Sequence, residues 1–151
     1  MALVTTLEEL RGLAGREIAV TEWLEITQER IDLFADATED HQWIHIDRER
    51  AQRESPYGAT IAHGFLTLSL LPKFLKDSIE IGGLRMAINY GLNRVRFPSA
   101  VRAGSRIRAR IVLQSMRDVG DSTEAIYSIT IESERAEKPC CVAEMLARYY
   151  R

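Results

Sequence analysis

The chain has 151 residues, and its 20 basic and 22 acidic side chains give a formal net charge of −2 at pH 7. Such a balance provides no overall basic field, so we expect no nucleic-acid partner. A chain of this length can bury a single core, and we predict one domain over residues 1–151.

The N terminus and the cysteines bear on the compartment of the protein. The opening sequence MALVTTLEELRG has neither the basic nor the apolar region of a signal peptide, and no uncharged apolar stretch reaches the ~18 residues of a membrane span. Cys140 and Cys141 are adjacent in an apolar run, where neighbouring strand residues face opposite ways and a disulfide is geometrically poor. We therefore expect reduced thiols, no membrane partner and a cytoplasmic location.

Capping signals locate the first helices. Thr6 and Glu9 have capping-box spacing, which predicts a short helix that ends near residues 12 to 15. The next segment, REIAVTEWLEI, is typical of a strand. Thr27 is then a plausible N-cap for a helix over TQERIDLFADAT, which delivers the chain to Asp40. One face of this helix would carry Ile31, Phe34, Ala35 and Thr38.

The most apolar segment of the chain follows the polar stretch RERAQRESPYGAT, which is typical of a helical turn and a loop. This segment, HGFLTLSLLPKFLKDSI over residues 63–79, is apolar on nearly every side, as buried helices are. At ~1.5 Å per residue it would be about 25 Å long, and it carries three charged residues, so a core helix is favoured over a membrane span. Pro72 should kink or break it.

From Leu84 the pattern changes to the alternation of strands. Apolar residues occupy even positions up to Leu92 and odd positions at Val95 and Phe97, and this change of parity predicts a β-bulge between Gly91 and Arg94. Further strand faces comprise Ile107, Ala109, Ile111 and Leu113, then Ala125, Tyr127, Ile129 and Ile131, and finally the segment CCVAEMLARYY. Consecutive strands with short turns predict an α+β fold, an antiparallel sheet wrapped around the long central helix.

Two titratable residues close to the end of the second helix are candidates for chemistry. Asp40 and His45 are five positions apart, about 140° out of register on a regular helix, so they converge only in a turn. Such a pair can activate and orient a water molecule, each group tuning the pKa of the other. The structural alternative is that Asp40 caps the turn at Ile44 and that His45 packs in the core.

A metal site is a second alternative for the same stretch. His41 and His45 have the H-x-x-x-H spacing of zinc proteases, but Gln42 stands where those enzymes have a glutamate base, so the hydrolytic version fails. Asp40 or Asp47 with His63 would still complete a ligand set. We expect no metal.

His63 and Gly64 begin the apolar helix and form the second candidate element. Backbone N–H groups in a first helical turn have no intrahelical acceptor, and they stabilise a developing oxyanion. Glycine also lets a carbonyl oxygen approach closely. The structural alternative is that Gly64 permits tight packing and that His63 caps or packs.

Together, DHQWIH and IAHGF resemble a family, the MaoC-like (R)-specific enoyl-CoA hydratases of the hotdog fold. The signature of that family is an Asp-x-Asn-Pro-Leu-His turn followed by a His-Gly at the start of the central helix. The order of elements resembles the family over essentially the whole chain, and NYGLNRVRFP is similar to its nodulation protein N subgroup. Gln42 and Trp43 depart from the signature but keep its spacing.

The resemblance implies a mechanism and a set of residues. Asp40 and His45 would bind the water that adds to a trans-2-enoyl thioester, and the amide of Gly64 would hold the thioester oxygen. The substrate-binding residues would be Gln42, Ile61, His63, Tyr90, Asn93 and Arg96. The family also implies an acyl-CoA substrate, a homodimer with a site near the subunit boundary, and no cofactor.

The sequence leaves alternatives for the role of several arginines and for the function of the protein. Arg106, Arg108 and Arg110 share one strand face, which is either solvated or helps to neutralise coenzyme A phosphates together with Arg94, Arg96 or Arg102. The hotdog fold is also used by acyl-CoA thioesterases and by proteins that bind acyl-CoA without turning it over. The acid-base pair and Gly64 favour hydration.

Overall fold

The computed structural model describes residues 2–151, so Met1 of the predicted domain lies outside the described residues. Six helices and four short strands lie between residues 3 and 81, and four long strands follow them. In chain order they are β1 (Leu3–Thr5), α1 (Leu7–Arg11), β2 (Arg16–Val20), β3 (Leu24–Glu25), α2 (Gln28–Thr38), α3 (Trp43–Ile46), α4 (Arg48–Glu54), α5 (Gly64–Ser69), α6 (Leu71–Ser78), β4 (Ile79–Ile81), β5 (Met86–Arg96), β6 (Arg106–Val119), β7 (Ser122–Ser133) and β8 (Cys141–Tyr150).

The main sheet has the strand order β2-β6-β7-β8-β5, and β3 pairs with β6 beyond the end of β2. All its pairings are antiparallel, whereas β1 and β4 form a separate parallel pair. The predicted inner faces are confirmed, because the alternating side chains of β6 and β7, from Ile107 to Leu113 and from Ala125 to Ile131, are buried. Leu66, Leu71 and Phe74 of α5 and α6 pack against these faces to form the core.

The first capping signals are confirmed, and the strand that follows them is interrupted. Thr6 caps α1 in a full capping box with Glu9, and Thr27 accepts the backbone N–H of Arg30 at the start of α2. The predicted strand over residues 16–26 divides into β2 and β3. Between them the side-chain oxygen of Thr21 accepts the N–H of Ala109 (2.9 Å), so a side chain replaces the backbone partner that would have continued the ladder.

The predicted central helix is divided, as Pro72 indicated. α5 ends at Ser69 and α6 begins at Leu71, with Pro72 in the first turn of α6, where its missing N–H costs no intrahelical hydrogen bond. The two helices together carry the buried residues that the single apolar segment predicted. Among residues 2–151, no helix combines the length and the apolar character needed to cross a membrane.

Strand β5 forms one edge of the main sheet and contains two irregularities. The predicted bulge is confirmed by the register shift between Leu92 and Arg94, and the sequence missed a second shift between Asn89 and Gly91. The even-numbered apolar residues of this strand lie outside the core, contrary to what alternation alone suggests. Their exposed fractions are 42% for Met86, 40% for Ile88, 55% for Tyr90 and 43% for Leu92.

Candidate active site

The turn that carries Asp40 and His45 begins where α2 ends. Glu39 adopts a left-handed conformation (φ 60°), which stops the helix and redirects the chain. Asp40 follows in an irregular segment with an exposed side chain, and α3 then forms a single helical turn containing His45. The prediction that the helix ends before the pair, so that the two side chains can converge, is therefore confirmed.

The ring of His45 is buried and has a defined tautomer. Its Nδ1 lies 2.7 Å from the backbone carbonyl oxygen of Ile61. A carbonyl oxygen only accepts, so Nδ1 carries the hydrogen and donates it. When the ring is neutral, Nε2 therefore has a free lone pair, as a group that accepts a hydrogen from water requires.

His63 joins the Asp40 segment to the start of α5. Its Nε2 donates to the backbone carbonyl of Asp40 (2.9 Å) and lies 4.0 Å from the carboxylate of the same residue. The His63 ring also stacks on the ring of His45, with centroids 3.8 Å apart and planes inclined by 21°. Among residues 2–151, its buried Nδ1 has no hydrogen-bond partner. His63 therefore links the Asp40 segment to the ring of His45.

The environment favours the neutral form of His45. Burial is the largest influence and lowers the pKa of His45 below the usual histidine value, and the neighbouring His63 lowers it further. The hydrogen bond to Ile61 and the carboxylate of Asp40 act in the opposite direction but do not prevail. The pair thus presents a carboxylate beside a neutral imidazole.

Gly64 is the first residue of α5, so its amide has no acceptor within the helix. The ring of Phe97 lies 3.1 Å from the position that a Cβ on residue 64 would occupy. A cleft of about 260 Å³ opens at this point. Its walls include Tyr57, Ile61, Thr67, Phe97, Val101 and Cys140. The Gly64 backbone is therefore open to this cleft, and a side chain at position 64 would crowd Phe97.

The arrangement is a poor metal site. One ligand atom each from Asp40, His45 and His63 lies within 4.8 Å of the other two. The stacked rings of the two histidines are nearly parallel, however, so their in-plane lone pairs lie in separate planes and do not converge on one ion. The alternative that used His41 is also not assembled, because its Nε2 lies 2.9 Å from Asp36 on the surface.

The structure separates the predicted substrate-binding residues into two groups. Gln42, Ile61 and His63 adjoin the turn: the Gln42 carbonyl accepts the N–H of His45 (3.0 Å), and the Ile61 N–H donates to Ile44 (3.0 Å). Both contacts are made by the backbone.

The other three predicted binding residues lie on β5. Arg96 precedes Phe97 at the cleft, is exposed, and donates to the carbonyl of Val95 (2.7 Å). Asn93 is exposed at the register shift between Leu92 and Arg94. Tyr90 lies seven residues from Phe97, about 20 Å along the strand, with the Arg148 guanidinium 3.5 Å from its ring centroid. The chain therefore does not bring its own Tyr90 to Asp40 and His45.

The arginines of β6 are engaged with acidic residues. Arg106 pairs with Glu134 (2.7 Å), and Arg108 and Arg110 both pair with Glu132 (2.9 and 2.7 Å). Such a compensated face leaves little net charge for phosphate binding. In residues 2–151 no carboxylate pairs with Arg94, Arg96 or Arg102.

Sequence reasoning missed a buried amide that contacts the site. Gln28, the first residue of α2, donates from Nε2 to the backbone carbonyl of His45 (2.7 Å). In the sequence it resembles any polar residue in the first turn of a helix, and no local pattern distinguishes it. Phe97 likewise carries only the alternating pattern of a strand in the sequence.

Comparison with known proteins agrees with this geometry. The model of the family described as MaoC like domain matches residues 10–134, and the chain belongs to that family. The 3-hydroxyacyl-thioester dehydratase Z of Mycobacterium tuberculosis is 49% identical over 150 residues, which cover 99% of each chain. Nodulation protein N of Rhizobium leguminosarum biovar viciae is 46% identical over 143 residues, covering 93% of this chain and 89% of the relative.

Solved structures confirm the hotdog fold. A monoamine oxidase regulatory protein from Archaeoglobus superposes with a TM-score of 0.78 at 24% identity, over 100% of this chain and 99% of that one. An (R)-hydratase from A. caviae superposes with a TM-score of 0.67 at 17% identity, over 87% and 95%. The family and its named dehydratases also agree with the predicted enzyme class, a hydro-lyase.

Proposed function

We propose that the protein is an (R)-specific enoyl-CoA hydratase, which adds water to a trans-2-enoyl-CoA to give the (R)-3-hydroxyacyl-CoA. The observation that carries the proposal is the convergence of the Asp40 carboxylate with the two stacked imidazoles, each ring tied to a backbone carbonyl. The backbone amide of Gly64, the residue after His63, is a candidate oxyanion donor beside this cluster. Acid-base groups and an oxyanion donor are what hydration of a conjugated thioester requires.

The proposed mechanism assigns the water to the turn. The free Nε2 lone pair of His45 and the carboxylate of Asp40 accept its two hydrogens, which directs an oxygen lone pair to C3 of the substrate. As the oxygen bonds to C3, one proton passes to the Asp40–His45 pair, Asp40 being the preferred base. The pair then delivers a proton to C2, so the product gains one water, and the two groups titrate as one unit.

The proposed oxyanion site is the Gly64 amide. Attack at C3 moves electron density through the conjugated system to the thioester oxygen, and an N–H directed at this oxygen stabilises the transition state more than the ground state. The cleft at Gly64 has the apolar walls that the acyl portion needs. Arg94, Arg96 and Arg102 are the proposed contacts for the coenzyme A phosphates, since the arginines of β6 are already paired.

The relatives support this substrate class and leave the carrier open. The mycobacterial relative is named for 3-hydroxyacyl thioesters, and dehydration of such a thioester is the reverse of the proposed hydration. The name covers both coenzyme A and acyl carrier protein as the thiol. We propose coenzyme A, and a comparison of the same acyl group on the two carriers tests that part of the proposal.

The decisive experiment follows the enoyl-thioester absorbance over a series of acyl chain lengths, with free thiol measured in the same samples. Loss of absorbance without thiol release, coupled to a dehydrogenase specific for (R)-3-hydroxyacyl-CoA, is the expected result. Release of thiol would indicate a thioesterase, and saturable binding without turnover would indicate an acyl-CoA-binding protein. Burial raises the pKa of the Cys140 thiol in the cleft to about 12, so this residue is not a thiolate nucleophile for hydrolysis.

We also propose that the protein is a homodimer formed through β5. This strand of eleven residues pairs with β8 on one side only, and its apolar side chains Met86, Ile88, Tyr90 and Leu92 are exposed. An apolar sheet edge of this kind is normally paired or protected. Pairing with a second β5 would bury the strand and bring one protomer's edge residues toward the other protomer's site.

The test of the dimer combines light scattering after size exclusion with activity at the same concentrations. Wild type should have twice the monomer mass of 17.2 kDa, and Ile88→Lys should shift it toward the monomer. The matched control is Leu33→Lys, which changes an exposed leucine of α2 and should leave the mass unchanged. A wild-type monomer with full specific activity would contradict the shared site.

A further inference from the structure

Gln28 is a buried amide whose hydrogen-bonding groups are all used. It is 7% exposed, and its Nε2 lies 2.7 Å from the carbonyl oxygen of His45 and 2.8 Å from the carboxylate of Asp32. On the other side, its Oε1 accepts a hydrogen bond from the hydroxyl of Thr60, one of the shortest contacts in this region at 2.5 Å. The side chain therefore connects three segments, namely α2, α3 and the loop before α5.

The orientation of this amide follows from its partners. A backbone carbonyl and a carboxylate can only accept, so both must face the NH₂ group. The Thr60 hydroxyl then donates to the remaining oxygen. No flipped arrangement satisfies the same three groups, which makes Gln28 a specific connector between them.

The hydrogen bond from Gln28 to His45 is important because α3 is too short to be stable by itself. It is a single turn, and its closing backbone bond runs from Asp47 N–H to the carbonyl of Trp43 (3.0 Å). A helix this short has little intrinsic stability, so bonds from outside fix the position of His45. Among them, Gln28 holds the backbone carbonyl of His45, and Ile61 holds its ring nitrogen.

Thr60 connects these two supports. The hydroxyl of Thr60 orients Gln28, and the next residue is Ile61, whose carbonyl accepts from the His45 ring. The position of the His45 backbone, through Gln28, and the position of its ring therefore both depend on the neighbouring loop residues Thr60 and Ile61. A shift of the Gln28 amide would move the His45 backbone relative to the carbonyl that fixes its tautomer.

We propose that Gln28, oriented by Thr60, is a positioning residue for His45. The proposal rests on the proposed hydration, in which His45 binds the attacking water. Gln28 does not contact that water itself, and it acts by keeping Nε2 of His45 aligned with the carboxylate of Asp40. A misplacement of about 1 Å at such a group can lower a rate roughly 100-fold, whereas substrate binding elsewhere is unaffected.

Two pairs of variants test the proposal. Gln28→Leu removes all three hydrogen bonds, and Gln28→Glu keeps the shape but places an acceptor against the His45 carbonyl and Asp32. Thr60→Val removes the hydroxyl at constant shape, and Thr60→Ser retains it as the conservative rescue. The matched control is Gln114→Glu, which makes the same charge change at an exposed position of β6.

Hydration kinetics, thermal unfolding and imidazole ¹⁵N NMR of His45 are measured for each variant. We expect kcat to fall about 10- to 100-fold in both Gln28 variants and several-fold in Thr60→Val, with KM within about twofold and the His45 resonances shifted. Thr60→Ser and Gln114→Glu should resemble wild type. If Gln28→Leu does not fold, the same measurements on Thr60→Val decide whether Gln28 positions His45.

Two results would overturn the proposal. One is a folded Gln28→Leu or Gln28→Glu protein with wild-type kcat and unchanged His45 resonances. The other is a loss of kcat that only parallels a loss of Tm, with the His45 resonances unchanged, since this indicates a structural role alone. A wild-type protein without hydratase activity would reject the proposed function, while the NMR measurement would still decide whether Gln28 positions His45.

Discussion

Two clusters of titratable residues each contain buried members, Glu124 in one and His45 and His63 in the other, and they are bonded in different ways. The sheet cluster comprises Arg117, Glu124 and Arg148 on three neighbouring strands, and the turn cluster comprises Asp40, His45 and His63. Glu124 is 1% exposed and His63 is 3% exposed, so burial by itself does not distinguish them. The distinction lies in what each group is bonded to.

In the sheet cluster the charges satisfy one another. Glu124 accepts from Arg117 through one carboxylate oxygen and from Arg148 through the other (both 3.1 Å), and Arg148 also stacks on Tyr90. Burial raises the pKa of Glu124, but the two arginine hydrogen bonds prevail and hold it below its usual value. This carboxylate is therefore ionised and fully paired, and it has no bonding capacity left for a substrate.

In the turn cluster the ring nitrogens are bonded to backbone carbonyls instead. His45 donates to Ile61 and His63 donates to Asp40, which leaves one lone pair on each ring without such a bond. Backbone bonds fix the orientation of a ring without neutralising its chemistry. From this comparison we expect reactivity where titratable groups are held by the main chain, and none where they are held by one another.

The largest effect on catalysis should come from the turn cluster. Asp40→Asn and His45→Gln each replace a group that can take up a proton with an amide that cannot, and we expect kcat to fall by at least ~10² with the fold intact. The measurement is hydration kinetics with circular dichroism and Tm as controls for folding. A near-normal rate in either folded variant would contradict the assignment of the pair.

A smaller effect is expected at Gly64. In Gly64→Ala the amide is kept, but the new Cβ would lie 3.1 Å from the Phe97 ring and narrow the approach to the amide. We expect kcat/KM to fall about 10-fold, as loss of alignment at an oxyanion donor does. Steady-state kinetics of Gly64→Ala and of Gly64→Ala with Phe97→Leu provide the measurement, since the second change makes room and should restore part of the loss.

The control for this substitution is Gly82→Ala, where the added Cβ meets only a backbone oxygen at 3.8 Å. Its kinetics should match wild type. If Gly64→Ala had full activity and an unchanged KM, Gly64 would not belong to the site.

The sheet cluster should show the reverse behaviour, a loss of stability without a loss of activity. Glu124→Leu leaves two arginines facing each other without their common acceptor, so we expect the Tm to fall by about 5 °C. The rate constant kcat should stay within about twofold of wild type because Glu124 bonds only to Arg117 and Arg148, and not to Asp40, His45 or His63. Thermal unfolding and hydration kinetics on the same preparation test both statements, and a large loss of kcat in a folded Glu124→Leu protein would refute the comparison.

Much of the fold was predictable because its signals are local. The capping box at Thr6, the N-cap at Thr27 and the alternation in β6 to β8 each depend on residues within a few positions, and all are confirmed. The break at Pro72 and the bulge before Arg94 were predictable for the same reason. The interruption of the strand after Val20 was not predictable, because it coincides with a hydrogen bond to the Thr21 side chain from Ala109, which lies far along the chain.

The site was predictable in part. The spacing of Asp40 and His45 required a turn, and the structure contains one, whereas the contact of His63 with the Asp40 carbonyl joins residues 23 positions apart. Gln28 supports the carbonyl of His45 across 17 positions, and Phe97, the residue after β5, covers Gly64 at the start of α5. Such partners are fixed by tertiary packing, so no pattern in the neighbouring sequence identifies them.

The smallest effect concerns the pH dependence of the turn cluster. Burial lowers the pKa of His45, and the neighbouring His63 lowers it further. In the unfolded chain this histidine binds its proton at the ordinary pKa of about 6.5. The folded protein therefore keeps the ring neutral to a lower pH than the unfolded chain does. Between these two pKa values the unfolded state binds more protons, so the contribution of His45 to stability is present above pH 6.5 and is lost as the pH falls toward the pKa of the folded state.

NMR titration of His45 should therefore give a midpoint below 6.5, and the acid limb of kcat/KM should lie in the same range. In His63→Phe the ring stack is kept but the neighbouring titratable group is removed, so the His45 midpoint should rise toward the ordinary value. The variant His45→Gln provides the control for stability, because its Tm should depend less on pH than that of wild type over this interval. A His45 midpoint at or above 6.5 would show that burial does not govern the ring, and the turn cluster would then resemble the sheet cluster in favouring the charged form.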